Sequence, residues 1–245
     1  MRILLALAGC LLLPGHSALA SAHAGSFQAR TDVVLDPGHS LSGPGAKSCS
    51  GTYEYVYNNS LTNTVVEYLA AQGIYVLVTR GPDGEISLAE RAKMSAGKKL
   101  FISLHHDSAQ PQFIQYVNGN PCSNKAEGFS IFISSKNVFF QESLAIARVL
   151  GESLRNFGLH PSRHHGEKIL GENKKLLDEN CGIYAFDDLI VLKKARSPAL
   201  LLEAGVIINP VDDAKVTTKA YQRKIAEAIA NAVKFAWRRT PCSVK

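Results

Sequence analysis

Two histidines and two glutamates in this chain fall where polar side chains could gather at one edge of a sheet. His39 follows the apolar run Val33-Val34-Leu35 and the stop signal Asp36-Pro37-Gly38, in which proline withholds a backbone donor and glycine permits a tight turn. His105 follows a second apolar run, Leu100 to Leu104, and Glu203 follows a third, Ala199 to Leu202. Glu54 closes the Gly-, Ser- and Pro-rich stretch that runs from Ser40 to about Thr52. Open α/β sheets hold their ligands at the carboxyl ends of strands. Two imidazoles and a carboxylate can hold a catalytic zinc ion while leaving a position for water. A further carboxylate outside the coordination shell is needed to take a proton from that water. These four residues supply that inventory. Each also has a plainer reading: His39 as a helix cap, Glu54 as a solvated loop acid, His105 as a histidine at the core edge. Glu203 is the hardest to dismiss, because apolar residues flank it on both sides and a lone buried carboxylate is costly.

The elements that would position these residues alternate between strand and helix. Val33 to Leu35 reads as a buried strand. Asn59 to Gln72 has helical apolar spacing at Leu61, Val65, Tyr68 and Leu69, with Gly73 as its stop. Ile74 to Thr79 reads as a second buried strand, and Ser87 with Glu90 has capping-box spacing for a short helix. Leu100 to Leu104 is a third strand, and Ser108 to Glu127 is expected to be a loop. Gly128 to Ser134 is a fourth strand, Gln141 to Phe157 an amphipathic helix, and His160 to Asp188 irregular with one short helix around Lys174 to Glu179. Leu189 to Leu192 and Ala199 to Leu202 complete the strands, and Val216 to Trp237 is a final long helix. The pattern predicts an α/β fold in one domain, a largely parallel twisted sheet of about six strands flanked by helices.

Composition sets the compartment and the class. Hydrophobic content of 46% with 20% charged residues describes an ordinary globular domain. Met1-Arg2, the apolar run Ile3 to Leu13 and the small residues up to Ala24 read as a secretory signal, cleaved after Ala20 or Ala24. That run is too short to span a bilayer. Residues 1–24 are therefore the expected signal and 25–245 the expected catalytic domain, with its core about 33–237. Leu7-Ala8-Gly9-Cys10 gives a minor alternative, lipid anchoring through Cys10. Export leaves Cys49, Cys122, Cys181 and Cys242, an even number that favours disulfides in any of three pairings. A net charge of +6, or +5 once Arg2 is removed with the signal, suits an anionic polymer such as a cell wall. No motif points to nucleic acid.

An ordered set of motifs carries a resemblance. Val34-Leu35-Asp36-Pro37-Gly38-His39, Glu54, Phe101-Ile102-Ser103-Leu104-His105 and Leu202-Glu203-Ala204-Gly205 occur in the order found in zinc-dependent N-acetylmuramoyl-L-alanine amidases. Leu77-Val78-Thr79-Arg80, Leu88-Ala89-Glu90-Arg91 and Asp188-Leu189-Ile190-Val191-Leu192 before Ser197-Pro198-Ala199 add support. The chain thus resembles the amidase-3 family of bacterial cell-wall hydrolases from about Val33 to Trp237. The resemblance implies that His39, Glu54 and His105 hold Zn2+ and that Glu203 is the catalytic carboxylate. It implies hydrolysis of the amide between N-acetylmuramic acid and L-alanine in peptidoglycan, in the periplasm or after secretion. Arg80, His106, Arg163, Tyr184 and Asn209 are candidate substrate contacts, and His106 has a second reading as a residue packed beneath the site.

Ser40 and Leu41 stand where the family usually has glycines, and Val206-Ile207-Ile208-Asn209 departs from its usual pattern except at Asn209. Residues 160–187 form a longer segment than a minimal member needs, either a substrate lid or an insert displaced by an activator protein. Two rival functions are a zinc peptidase cutting within the wall peptide and a non-catalytic wall-binding protein on the same fold. The presence of all four site residues argues against the second rival.

Overall fold

Val33–Pro37 (β1) is buried along its whole length, one strand in from an edge of a mixed sheet. The computed structural model describes residues 31–79 and 86–238. The expected signal at 1–24, Cys10, Arg80 and Cys242 lie outside the described residues. The elements that follow are Glu54–Ala70 (α1), Val76–Val78 (β2), Leu88–Lys93 (α2), Leu100–Asp107 (β3), Gln115–Val117 (β4) and Asn120–Cys122 (β5). Then come Ser130–Ile133 (β6), Phe140–Asn156 (α3), Lys175–Asp178 (β7), Ile183–Ala185 (β8) and Ile190–Lys193 (α4). Ala199–Val206 (β9), Pro210–Val216 (α5) and Lys219–Arg238 (α6) complete the described chain.

Seven strands form one sheet in the order β2-β1-β3-β9-β6-β8-β7, one more than expected. The pairings from β2 to β9 are parallel, β9 with β6 is antiparallel, β6 with β8 is parallel, and β8 with β7 is antiparallel. Pleating divides the central strands between two cores. Val33, Leu35, Ile102, Leu104, Leu200 and Leu202 pack with α1, α3 and α6 on one face. Val34, Phe101, Phe132 and Leu201 pack with Val191 and Leu192 of α4 on the other. Runs of apolar residues buried on both faces explain why β1, β3 and β9 were readable as parallel-sheet strands.

Several boundaries differ from expectation for identifiable reasons. Helix α1 starts at Glu54 rather than Asn59, because Glu54, Tyr57 and Asn58 are buried despite their polarity. Strand β2 is a half-buried edge strand, not a buried one. The expected loop 108–127 contains the β4–β5 hairpin, whose Asn118-Gly119 turn has both residues at positive φ. The helix expected around 174–179 is instead β7, which pairs with β8. Leu189 to Leu192, expected as a strand, forms the turn of helix α4, since β8 already fills the place beside β6. The last helix, expected from Val216, begins at Lys219 (α6), where the Thr218 hydroxyl accepts from Tyr221 N–H, and Val216 instead ends α5, a short helix that the sequence pattern does not predict.

Asp36 ties the front strands together without entering the chemistry. Its Oδ1 accepts from the Thr79 hydroxyl at 2.6 Å, its Oδ2 accepts from the Ser103 hydroxyl at 2.8 Å, and Arg91 lies 3.6 Å away. Capping of α2 by Ser87 and Glu90 holds Arg91 in that network. Among the described residues no helix is long and apolar enough to cross a membrane.

Candidate metal centre

The carboxyl ends of β1 and β3 and the first turn of α1 meet at one point. Glu54 Oε2 lies 3.1 Å from His39 Nε2, and Glu54 Oε1 lies 3.0 Å from His105 Nδ1. The two imidazoles stand edge to face with centroids 5.0 Å apart, and one donor atom from each of the three residues falls within 4.8 Å of the others. Nitrogen and oxygen donors at this spacing fit around a tetrahedral ion, whose ligands sit about 2.0–2.2 Å from the metal.

Local structure explains how each side chain arrives there. His39 adopts φ 59°, a left-handed conformation for a residue with a Cβ, which costs about 1–3 kcal/mol and is tolerated where its surroundings enforce it. A Cβ on Gly38 would run into the His105 ring, so glycine is required for β1 and β3 to present both imidazoles together. Gly45, at φ 75°, lets the preceding loop close over Glu54, and Ala46 N–H donates to Glu54 Oε2 at 3.1 Å. Placing Glu54 in the first turn of α1 adds the favourable end of the helix dipole to its negative charge.

Burial alone would keep Glu54 neutral. Hydrogen bonds and charge from His105 and His39 outweigh that effect and hold its pKa well below the ordinary carboxylate range. Burial likewise opposes charge on His39, but the Glu54 carboxylate prevails and raises its pKa. Both shifts record how strongly these donors interact.

A supporting network lies beneath them. Asn58, one helical turn after Glu54, donates from Nδ2 to Gly38 O at 3.1 Å and to Glu54 Oε1 at 3.2 Å. Its Oδ1 lies 2.8 Å from His106 Nδ1. Burial pushes the His106 pKa down to about 4, so this ring is neutral and donates its Nδ1 proton to Asn58. His106 is 3% exposed and stacks at a tilt on Tyr57. It therefore takes the packed position beneath the site, not the substrate-facing one. Sequence reasoning missed Asn58; its spacing of four residues from Glu54 was the available signal.

Glu203 enters from β9. It pairs in register with His105 on β3 and with Ser130 on β6. The residue is half-buried, and its shielded Oε2 has no hydrogen-bond partner. The Ser130 hydroxyl is orphaned in the same way. Burial first, then the charges of Asp107 and Glu54, push the Glu203 pKa well above its usual value.

The remaining sequence candidates are placed differently. Arg163 is exposed and pairs with Glu179 at 3.1 Å. Tyr184 is fully buried, and its hydroxyl donates to Ser162 O, so it supports the fold rather than facing a groove. Asn209 is spent as the cap of α5: its Oδ1 accepts from Val211 N–H, and its Nδ2 donates to Ala126 O. Cys49 and Cys122 form a disulfide, and Cys181 is buried with no disulfide partner among the described residues.

A family model described as N-acetylmuramoyl-L-alanine amidase (Amidase_3) matches residues 33–234. The chain is 28% identical over 204 residues to the probable cell wall amidase LytH of Staphylococcus saprophyticus, covering 82% of this chain and 57% of LytH. It is 25% identical over 216 residues to AmiC of Neisseria meningitidis, covering 83% of this chain and 52% of AmiC. For Escherichia coli AmiA the values are 29% over 218 residues, 82% and 74%. The chain thus spans little more than half the length of the first two relatives. Among solved structures, the amidase Ami1 of Mycobacterium smegmatis shares the fold with a TM-score of 0.68 at 23% identity, covering 86% of this chain and 99% of Ami1. The CwlD amidase of Clostridioides difficile, solved in complex with the GerS lipoprotein, gives 0.63 at 21% identity, covering 85% of this chain and 99% of CwlD.

Proposed function

The chain belongs to the N-acetylmuramoyl-L-alanine amidase family Amidase_3, and from that membership we propose that it hydrolyses the amide between N-acetylmuramic acid and L-alanine in peptidoglycan with Zn2+ as cofactor. The observation that carries the reading is the convergence of His39, Glu54 and His105 beside an unpartnered Glu203 carboxylate. Two imidazoles and one carboxylate fit zinc by ligand type and spacing. His39 Nε2, His105 Nδ1 and a Glu54 oxygen would hold it. When bound, the ion supplies a water of lowered pKa and a positive charge for the developing oxyanion.

This chain's own residues do the rest. Glu203 Oε2, shielded and free of hydrogen bonds, would accept the proton of the attacking water and return it to the departing amine of L-alanine. Its raised pKa suits a group that must both take and release a proton. Asn58 and the Ala46 N–H fix the orientation of Glu54, and Gly38 leaves space for the His105 ring. Arg163 stands exposed on the segment 160–187, available to a stem-peptide carboxylate, although Glu179 shares its charge.

Export to the periplasm or beyond is part of the same reading, supported by relatives named as cell wall amidases. A protein activator is a further element, for which the CwlD–GerS complex is the relevant parallel. The test is release of soluble label from peptidoglycan by the purified chain, before and after a zinc chelator. Activity lost on chelation and restored by Zn2+ alone is the expected result, and activity indifferent to chelation would overturn the cofactor assignment.

A further inference from the structure

A second group of donors lies beyond the first, on the same edge of the sheet. Asp107 stands two residues after His105, past a register irregularity between β3 and β9. Its Oδ1 accepts from Ser108 N–H at 2.8 Å. Its Oδ2 lies 2.7 Å from His165 Nε2 and 3.3 Å from His164 Nε2. One donor atom from each of the three residues falls within 4.8 Å of the others, as in the first group.

Both imidazoles are oriented from behind. Glu172 Oε2 lies 2.9 Å from His165 Nδ1, and the Ser162 hydroxyl lies 2.8 Å from His164 Nδ1. In the metal-free protein His165 Nε2 donates to Asp107 Oδ2, a proton that a bound cation would displace, whereas His164, with Nδ1 donating to Ser162, is left with its Nε2 facing Asp107 unused. An acceptor behind the ring, often a carboxylate as Glu172 is here, is the usual outer support of a metal-bound histidine. Glu172 is itself held by Gln110 Nε2 at 2.8 Å and Lys174 Nζ at 3.2 Å. Phe132 and Tyr184 pack edge-on against the His165 ring.

One atom in this arrangement lacks what it needs. His164 is 6% exposed, and its Nε2, although near Asp107, makes no hydrogen bond. A buried ring nitrogen left without a partner is costly. An ion pair network centred on His165 and Asp107 accounts for His165 but leaves the His164 Nε2 unused. A cation shared by both rings uses all three atoms.

We infer that Asp107, His164 and His165 form a second binding site for a divalent transition-metal ion of the zinc type, separate from the His39–Glu54–His105 centre. Imidazole and carboxylate donors together select such ions over calcium or magnesium. Three protein ligands leave a position for water or an anionic ligand. The site joins the end of β3 to the segment 160–187, and Glu203, which feels both Asp107 and Glu54, lies under the influence of both centres.

The test is metal stoichiometry on the tag-free, full-length protein, loaded with excess Zn2+, desalted and measured by mass spectrometry of the metal. The wild type is expected to hold about two ions per chain. A His164→Gln, His165→Gln double variant and a His39→Gln variant are each expected to hold about one. One ion in the wild type, unchanged in the double variant and lost in His39→Gln, would overturn the second site and leave the first intact. One ion that survives His39→Gln and disappears in the double variant would uphold the second site and overturn the first. A Co2+ titration of the metal-free wild type is independent of how any variant folds. Visible absorption rising to two equivalents supports the inference, and saturation at one contradicts it.

Discussion

His105 and Glu203 are direct partners across the β3–β9 ladder. Neighbouring strands lie about 4.8 Å apart, so a candidate metal ligand and a candidate base are set side by side by backbone hydrogen bonds rather than by loops. This rigidity is what a proton transfer beside a bound metal requires. Glu203→Gln keeps the shape and removes the basic oxygen. It is expected to lower kcat by about 10²–10⁴-fold, with metal content unchanged. Steady-state assays paired with metal analysis check both halves, and a variant with wild-type kcat would remove Glu203 from the mechanism.

The surroundings of Glu203 also make a stability prediction for the metal-free protein. Its folded pKa lies above that of an unfolded chain, where a glutamate titrates near about 4.3. The neutral form is therefore favoured by folding. That benefit is complete below the unfolded value and is lost as pH rises through the folded one. Metal-free Glu203→Gln is thus expected to melt above metal-free wild type at pH 7 and level with it at about pH 4 or below. Thermal unfolding across that range decides the matter, and equal melting temperatures at pH 7 would contradict the burial and charge described for this carboxyl.

Asn58 supplies a prediction that the apolar pattern of α1 hides. It braces Glu54, His106 and the Gly38 carbonyl at once. Asn58→Ala is expected to weaken zinc binding at the first centre by about 10–100-fold, the usual effect of removing a residue that orients a metal ligand. Competition with a chromophoric chelator measures this. Unchanged affinity in a folded variant would show that Glu54 is held without it.

The Cys49–Cys122 disulfide fastens the loop before Glu54 to the β4–β5 hairpin across a sequence separation of 73 residues. A Cys49→Ser, Cys122→Ser variant is expected to lose about 2–5 kcal/mol of stability. Urea unfolding of oxidised, reduced and substituted protein tests it, and superimposable curves would rule out a stabilising bond. The pairing agrees with the expectation of disulfides, while Cys181 is buried and has no disulfide partner among the described residues.

Much of this arrangement was legible in the sequence because the central strands are buried on both faces. Val33 to Leu35, Leu100 to Leu104 and Ala199 to Leu202 show this as continuous apolar runs, and each run leads to a site residue. What escaped notice lies where local pattern and environment disagree. The first turn of α1 is polar because it serves the site, which hid its true start at Glu54. Leu189 to Leu192 is too short for its apolar character to distinguish strand from helix, and the neighbouring β8 decided it. The β4–β5 hairpin was announced by Asn118-Gly119, a turn pair that accommodates positive φ. Asn209 and Tyr184 looked available in sequence but are consumed by a helix cap and by packing. His164 and His165 carry no spacing signal toward Asp107, because only the fold brings residues so far apart in the chain together.

The most direct test of the account is the mass of the soluble products released from purified peptidoglycan. Amidase cleavage frees intact stem peptides that begin at L-alanine and leaves glycan bearing unsubstituted lactyl groups. Those peptides are expected from the wild type, at a rate about 10²–10⁴-fold lower from Glu203→Gln, and not after chelation until Zn2+ is restored. Products cut within the stem peptide, with L-alanine still attached to the glycan, would contradict it.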